Sequence, residues 1–275
     1  MKQKVSDYIA EYIAQWGIRD VFTVTGGGAM HMNDAFGHHK MLHCTYQHHE
    51  QACAMAAEAY ARLGNKMAAV CVTTGPGATN AITGVLGAWM DSIPMLVFSG
   101  QARYATTVSA SGLPLRSMGV QECNIVPVVK SLTKYAHMIV HPENIRYHLE
   151  KALYLAVNGR PGPVWLDIPL DVQGAVIETD DLKAYDPEEN PEQQPREIKD
   201  ETVEQILDKL QESKRPVLSP GNGVRLAGAH EDFYQLAELL GVPVVTGMSS
   251  VDAIESDHPL FVGRSGGTGT RPGNF

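Results

Sequence analysis

The sequence predicts an α/β fold, a doubly wound parallel sheet followed by a linker and an incomplete second α/β domain. Three observations predict it. Short apolar, β-branched runs alternate with segments of helical period through residue 168. Glycine-rich or polar turns follow those runs, at the strand ends where α/β sheets bind ligands. Composition then changes abruptly after residue 178.

The first element is a helix, in which Val5, Ile9, Tyr12 and Ile13 share one face and Gly17 supplies the stop. Asp20 to Val24 reads as a strand running into Gly26, Gly27 and Gly28. Leu42 to Tyr46 reads as a buried strand before a helix from His49 to Leu63. Met67 to Val72 leads through a second glycine-rich loop into another helix, and Met95 to Phe98 ends at Ser99 and Gly100. After a looser stretch from Ala102 to Gly119 come a strand from Tyr135 to Ile139, a helix from Asn144 to Val157 and a strand from Val164 to Ile168. These elements make a first domain of residues 1–175.

Residues 176–198 are expected to be a solvated linker, because Asp186 to Pro195 is acidic, proline-rich and without apolar period. Residues 199–275 carry a helix from Glu201 to Glu212, a strand Pro216 to Leu218, a turn Gly221-Asn222-Gly223, a helix Glu231 to Leu240 and a strand Val242 to Val245. This second α/β unit ends in a glycine-rich loop, Gly263 to Phe275, with no element expected after it.

With 44% hydrophobic and 19% charged residues, the 275-residue chain reads as globular and enzyme-like. A formal charge of −9 excludes a nucleic acid or an anionic membrane as partner. Cys44, Cys53, Cys71 and Cys123 have no CxxC spacing and sit in apolar stretches, as free thiols in a reducing compartment do. No signal-peptide core and no apolar run of the ~20 residues that span a bilayer occurs, so a cytoplasmic location is expected.

The loop Thr73 to Asn80 fits either a plain tight turn or a phosphate held on backbone N–H groups; it has neither the P-loop lysine nor the dinucleotide fingerprint. His38, His39, His43, His48 and His49 straddle three elements without ligand spacing, and no metal ligand is assigned. Glu50 opens an alanine-rich helix, and by position alone it is a helix-start carboxylate favoured by the macrodipole. Glu58 reads as a solvated or ion-paired residue.

Seven motifs, taken in order, resemble the signatures of the acetolactate synthase-like family of thiamine-diphosphate enzymes. They are His48 to Ala52, Ala56 to Arg62, Thr73 to Asn80, Asp91 to Met95, Ser99 to Gln101, Val120 to Glu122 and Asn158 to Val164. The resemblance implies that the first domain binds the cofactor's aminopyrimidine ring and that the second is the start of a middle domain, which often carries FAD. A C-terminal domain would hold the diphosphate through Mg²⁺. It implies that Glu50 is the catalytic carboxylate that hydrogen-bonds the pyrimidine N1′ and stabilises the imino tautomer. The exocyclic nitrogen can then take the thiazolium C2 proton, and the resulting ylide attacks a 2-keto acid such as pyruvate.

The resemblance also implies that Gly27 and Gly28 face the ring, that Pro76 and Asn80 pack on it, and that Gln121 lies near the reacting centre. Arg160, Gly221 and Gly223 match positions that approach FAD in flavin-containing members. The sequence departs from the family at Leu170, where the family has lysine, at Val120, which replaces phenylalanine, and in a longer loop before Gln121. These departures favour transfer of the two-carbon unit to another keto or aldehyde acceptor. No Gly-Asp-Gly diphosphate motif occurs in the chain. The expected enzyme is therefore a carboligase completed by a C-terminal domain on the same or another chain, at least a dimer, and inactive alone. A pyruvate oxidase- or decarboxylase-like activity and a non-catalytic fragment are the alternatives.

Overall fold

The computed structural model describes residues 1–194 and 197–275. Those up to 194 form one compact unit and those from 197 a second. Pro195, the last proline of the expected linker, lies with Arg196 outside the described residues.

In the first unit β1 (Lys2–Lys4) runs directly into α1 (Val5–Trp16), followed by β2 (Asp20–Thr23), α2 (Met30–His38), β3 (His43–Tyr46) and α3 (Glu50–Gly64). Next come β4 (Ala69–Val72), α4 (Pro76–Asn80), α5 (Ile82–Met90) and β5 (Met95–Gln101). The unit continues with α6 (Val108–Ser111), α7 (Ile125–Val129), β6 (Tyr135–Met138), α8 (Ile145–Val157), β7 (Pro163–Pro169), α9 (Leu170–Gly174) and β8 (Val176–Glu178). Six strands form a parallel sheet in the order β3-β2-β4-β5-β7-β6. The chain steps from β2 outward to β3, then returns across β2 to β4. The loops leaving β2 and β4 therefore diverge, and a crevice opens between them at the carboxyl ends of the strands.

Every residue of β4, β5 and β7 is buried, as expected of central strands covered on both faces. β3 differs from its expected buried state: it is the edge strand, with His43 and Tyr46 exposed. On α1 the buried residues Val5, Ile9 and Ile13 recur at the helical spacing, and Gly17 ends the helix at φ 116° with its N–H on the Ala14 carbonyl. Tyr12 is half-buried, with its hydroxyl donating to Glu150 at 3.1 Å. Helices α3 and α5 meet through small residues: a Cβ on Gly84 would stand 2.6 Å from that of Ala54.

The expected linker is solvent-exposed over most of its described length, as expected, but it does not hang free. β8 pairs antiparallel with β1, a strand the sequence did not announce. Beyond it Leu182 and Tyr185 are buried, and Glu150 on α8 accepts the Tyr185 N–H at 2.7 Å. Glu189 accepts from Tyr147, and Gln193 Oε1 accepts from Lys134 Nζ at 3.0 Å. Residues 176–194 thus form an exposed strap tied to the first unit by three buried anchors, Ile177, Leu182 and Tyr185, and several polar contacts, despite the acidic, proline-rich composition.

The second unit contains α10 (Asp200–Glu212), α11 (Gly223–Leu226), α12 (His230–Leu240), β9 (Val244–Thr246), β10 (Phe261–Arg264) and α13 (Arg271–Asn274). β9 and β10 pair in parallel, and the expected strand at Pro216 to Leu218 is reduced to a single bridge from Leu218 to Val244. Its buried core is small: Ala237, Val244 and Ile254, ringed by Leu218, Phe233, Tyr234, Leu260 and Phe261. The final glycine-rich loop closes on itself rather than trailing off: Asn274 exchanges hydrogen bonds with Gly266 at 2.9 and 3.1 Å. Among the described residues no helix is long and apolar enough to cross a membrane.

Candidate functional site

The crevice between the β2 and β4 loops is lined from four chain segments. Glu50 is the first residue of α3; His49 caps the helix, its Nδ1 accepting the Gln51 N–H at 3.2 Å. The helix start favours a carboxylate there. Asn80, the last residue of α4, donates from Nδ2 to Glu50 Oε2 at 3.0 Å. The other oxygen, Oε1, faces Gly77, where a Cβ would stand only 3.3 Å away. One carboxylate oxygen is thus held by Asn80 while the other faces Gly77, where glycine is already required because a Cβ would stand 2.7 Å from Thr73 Cγ2. Pro76 begins α4, where its missing N–H costs nothing and its fixed φ sets the first turn.

The two glycines assigned to the ring prove to have different reasons. A Cβ on Gly28 would meet Thr74 Oγ1 at 1.8 Å, and the Gly28 N–H donates to Thr73 Oγ1 at 3.1 Å. Gly28 is therefore required by packing of the protein against itself. A Cβ on Gly27 would meet nothing within 4 Å. Its loop borders a shallow, open depression lined by Thr25, Gly26, Gly27, Met30 and Asn33.

Gln121 reaches the crevice from a distant segment. It sits at φ 56°, an uncommon conformation for a residue with a side chain, and its side chain is exposed. Its carbonyl lies so close to Gly75 that a Cβ there would stand 2.0 Å from it, and Gly75 itself has φ 57°. Both facts require glycine at 75. Next to Gln121, the Glu122 carboxylate accepts the backbone N–H groups of Val108 at 2.7 Å and of Met118 and Gly119 at 2.9 Å. Burial pushes the Glu122 carboxyl up, but the three donors outweigh it and hold it below its ordinary value.

Sequence reasoning missed Gln173. Fully buried on α9, it donates from Nε2 to the carbonyls of Gly28 and Ile168, each at 2.7 Å. The Gly28 carbonyl also lies 2.0 Å from where a Gly100 Cβ would be, so it is confined by β5 and α9 together. Gln173 lies 145 residues from Gly28. No local pattern reveals such a pairing; the only signal is an amide between the apolar Val172 and the small Gly174.

Glu50, Pro76, Asn80, Gly27, Gly28 and Gln121 are thus brought to one edge of the sheet. Arg160 is not. It precedes β7, at the opposite edge, where its Nε donates to Ser92 Oγ at 2.7 Å. There it shares a cavity of about 400 Å³ with Trp89, Lys134, Glu192 and Gln193. Burial lowers the Lys134 ammonium to about 8. Gly221 and Gly223 belong to the second unit, before and at the start of α11, where a Cβ on either would meet nothing within 4 Å. The clustered histidines disperse: His38 faces Asp34, His39 faces Glu11 and His43 faces Asp20. Among the described residues no group of three or more His, Cys, Asp or Glu side chains is placed to hold a metal.

Residues 3–123 match the thiamine pyrophosphate enzyme, N-terminal TPP binding domain, and residues 203–275 match the thiamine pyrophosphate enzyme, central domain. Over 280 residues the chain is 34% identical to acetolactate synthase 2, chloroplastic, of Zea mays, covering 99% of this chain and 41% of that protein. It is 32% identical over 271 residues to the acetolactate synthase large subunit of Lactococcus lactis, covering 98% and 45%. It is 34% identical over 255 residues to the large subunit of Corynebacterium glutamicum, covering 91% and 38%. The chain spans less than half the length of these relatives. With both domain matches in chain order and similarity along its whole length, the chain belongs to the thiamine pyrophosphate enzymes, of which it carries the N-terminal TPP-binding domain and central-domain sequence.

Proposed function

We propose that this chain supplies the pyrimidine-binding side of a thiamine-diphosphate carboligase of the acetolactate synthase type, with Glu50 as its catalytic carboxylate. The observation that carries the reading is the Glu50–Asn80 pair at the crevice between β2 and β4. The residues present fit the pyrimidine end of the cofactor: Gly27 leaves its side open beside a shallow depression, and among the described residues Glu50 keeps Oε1 without a side-chain donor while Asn80 holds Oε2. When bound, thiamine diphosphate supplies the electron sink for decarboxylation of a 2-keto acid.

Glu50, partly exposed here, would share a proton with a ring nitrogen of the bound cofactor, whose own bulk would screen the carboxylate from water and so favour that sharing. Asn80 fixes the orientation of that carboxylate by donating to Oε2. Pro76 and Gly77 shape the turn against which the ring lies, and Gln121 offers an outward amide to substrate or cofactor. The diphosphate and Mg²⁺ are assigned to a separate Gly-Asp-Gly-bearing portion on the same or a second chain, the complete site is assigned to the interface between subunits of at least a dimer, and this chain alone turns over little. Arg160, Gly221 and Gly223 are assigned to FAD. A visible flavin spectrum in the completed protein checks that assignment, and a colourless protein unchanged by added FAD removes it.

Leu170, the first residue of α9 just past β7, where the family pattern has lysine, and the long loop before Gln121 favour another keto or aldehyde acceptor. A screen of pyruvate against keto and aldehyde acceptors identifies it. In the completed enzyme, Glu50→Gln lowers C2-proton exchange of the bound cofactor by about 10²- to 10³-fold, the scale of a lost proton-transfer group, with an unchanged circular dichroism spectrum. Wild-type exchange in that variant sinks the assignment.

A further inference from the structure

The centre of the sheet holds a polar cluster that the proposed chemistry does not use. Ser99 and Gln101 on β5 and Asp167 on β7 are at most 1% exposed, and Ser99 is the direct register partner of Asp167. Ser99 Oγ donates to Asp167 Oδ1 at 2.6 Å and accepts from the buried Trp165 Nε1 at 2.8 Å. Gln101 Nε2 donates to Asp167 Oδ2 at 3.1 Å. Among the described residues no ion pair reaches this carboxyl. A fully buried acid without a cation is costly, and its retention calls for a reason beyond packing.

The reason lies in what Gln101 does with its remaining bonds. Its Nε2 also donates to the Cys123 carbonyl at 2.7 Å, and its Oε1 accepts the Ala102 N–H at 3.0 Å. One side chain therefore ties down both ends of the loop from 102 to 123. The amide makes these contacts in only one of its two orientations, since a flip would turn its oxygen toward two acceptors. Asp167 Oδ2 selects that orientation. Burial pushes the Asp167 carboxyl up to about 7, with the Ser99 and Gln101 bonds drawing it back down. In either protonation state the carboxyl keeps an acceptor lone pair for Gln101. Cys123 is the neighbouring titratable group, its thiol raised by burial and by the Asp167 charge.

Within the loop so closed, Glu122 gathers the N–H groups of Val108, Met118 and Gly119, and the Gln121 carbonyl lies on Gly75. We propose that Gln101, its amide oriented by Asp167, is the positioning residue that closes the 102–123 loop and sets where Gln121 stands over the Gly75 turn. Its bearing on the cofactor rests on the function proposed above; its effect on the loop does not.

Amide hydrogen exchange on the 275-residue chain without added cofactor tests it. Gln101→Leu, which keeps the volume and removes both ties, raises exchange at Val108, Met118 and Gly119 about tenfold or more, while Ile9 in α1 and Leu149 in α8 keep wild-type rates. Asp167→Asn, whose own amide can present a donor to Gln101, gives a smaller rise at the same three positions. It carries the same test should Gln101→Leu not fold. Wild-type exchange of the loop in a folded variant overturns the proposal, and so does a rise spread equally over α1 and α8, which marks a purely structural role. Neither result depends on whether Glu50 is the catalytic carboxylate.

Discussion

The two units of this chain solve the problem of burial differently. In the first, β4, β5 and β7 are buried along their whole length and α1 places Ile9 and Ile13 at zero exposure. In the second, α10 buries no residue at all, although Val203, Ile206, Leu207 and Leu210 recur on one face. Leu239 at 83% exposure and Met248 at 76% show the same shortage of cover. Pattern alone does not stabilise a helix; the difference lies in whether a partner surface meets the apolar stripe. The first unit has such surfaces within itself, and so can hold the crevice residues against one another.

The comparison breaks most directly if equivalent truncations cost the same in both units. Ile9→Ala is expected to destabilise the first unit by about 3–4 kcal/mol, the scale of a large-to-small change in a packed core. Ile206→Ala, from a side chain 59% exposed, is expected to change stability by no more than about 0.5 kcal/mol. Urea unfolding followed by circular dichroism measures both, and similar midpoint shifts for the two would contradict the contrast.

A sharper version lies inside the first unit, between neighbouring glycines. Gly28→Ala forces a methyl into Thr74 and is expected to cost about 2–3 kcal/mol through overpacking. Gly27→Ala meets no protein atom and is expected to leave stability within about 0.5 kcal/mol. If Gly27 is bare for the sake of a ring, its alanine variant weakens thiamine diphosphate binding in the completed enzyme while its unfolding curve stays unchanged. Equal losses of stability at the two positions would refute the division of roles.

How much of this was legible depends on the range of the interactions. Strands β2, β4, β5 and β7 stand out as compact apolar runs, and the alternation with helices carries the parallel sheet. The edge position of β3 is hidden, since whether a run is covered depends on which strand lies beyond it. β1 is three polar residues, Lys2, Gln3 and Lys4, and becomes a strand only because β8 pairs with it. The strap is masked by its composition, in which Ile177, Leu182 and Tyr185 are three anchors among many acids and prolines. At the candidate site, the helix start at Glu50 and the glycine-rich turns were readable locally, whereas the role given to Glu50 came only from the family resemblance. The Gln173 tie to Gly28 and the Gln101 tie to Cys123 were not, because each joins residues far apart in the chain.

The smallest expected effect is also the least visible, because the buried Asp167 and the half-buried His148 of the first unit oppose one another. Burial, with help from His137 and Lys151, lowers His148 from 6.5 to about 4. The fold therefore prefers His148 neutral, and its contribution is complete above 6.5 and is lost as the pH falls toward 4. Asp167 runs the other way: burial raises it from 3.8 to about 7, so its contribution is complete below 3.8 and is lost as the pH rises through 7. Between about pH 4 and 6.5 the two slopes have opposite sign, and the wild-type melting temperature should vary little from these groups. Asp167→Asn removes the group that gains on acidification, so its melting temperature should fall more steeply than wild type as the pH drops from 6.5 to 4. His148→Phe removes the opposing group, so its melting temperature should fall as the pH rises across the same window. Calorimetric scans of the three proteins over that range decide the matter, since parallel curves would mean that neither group governs the acid response.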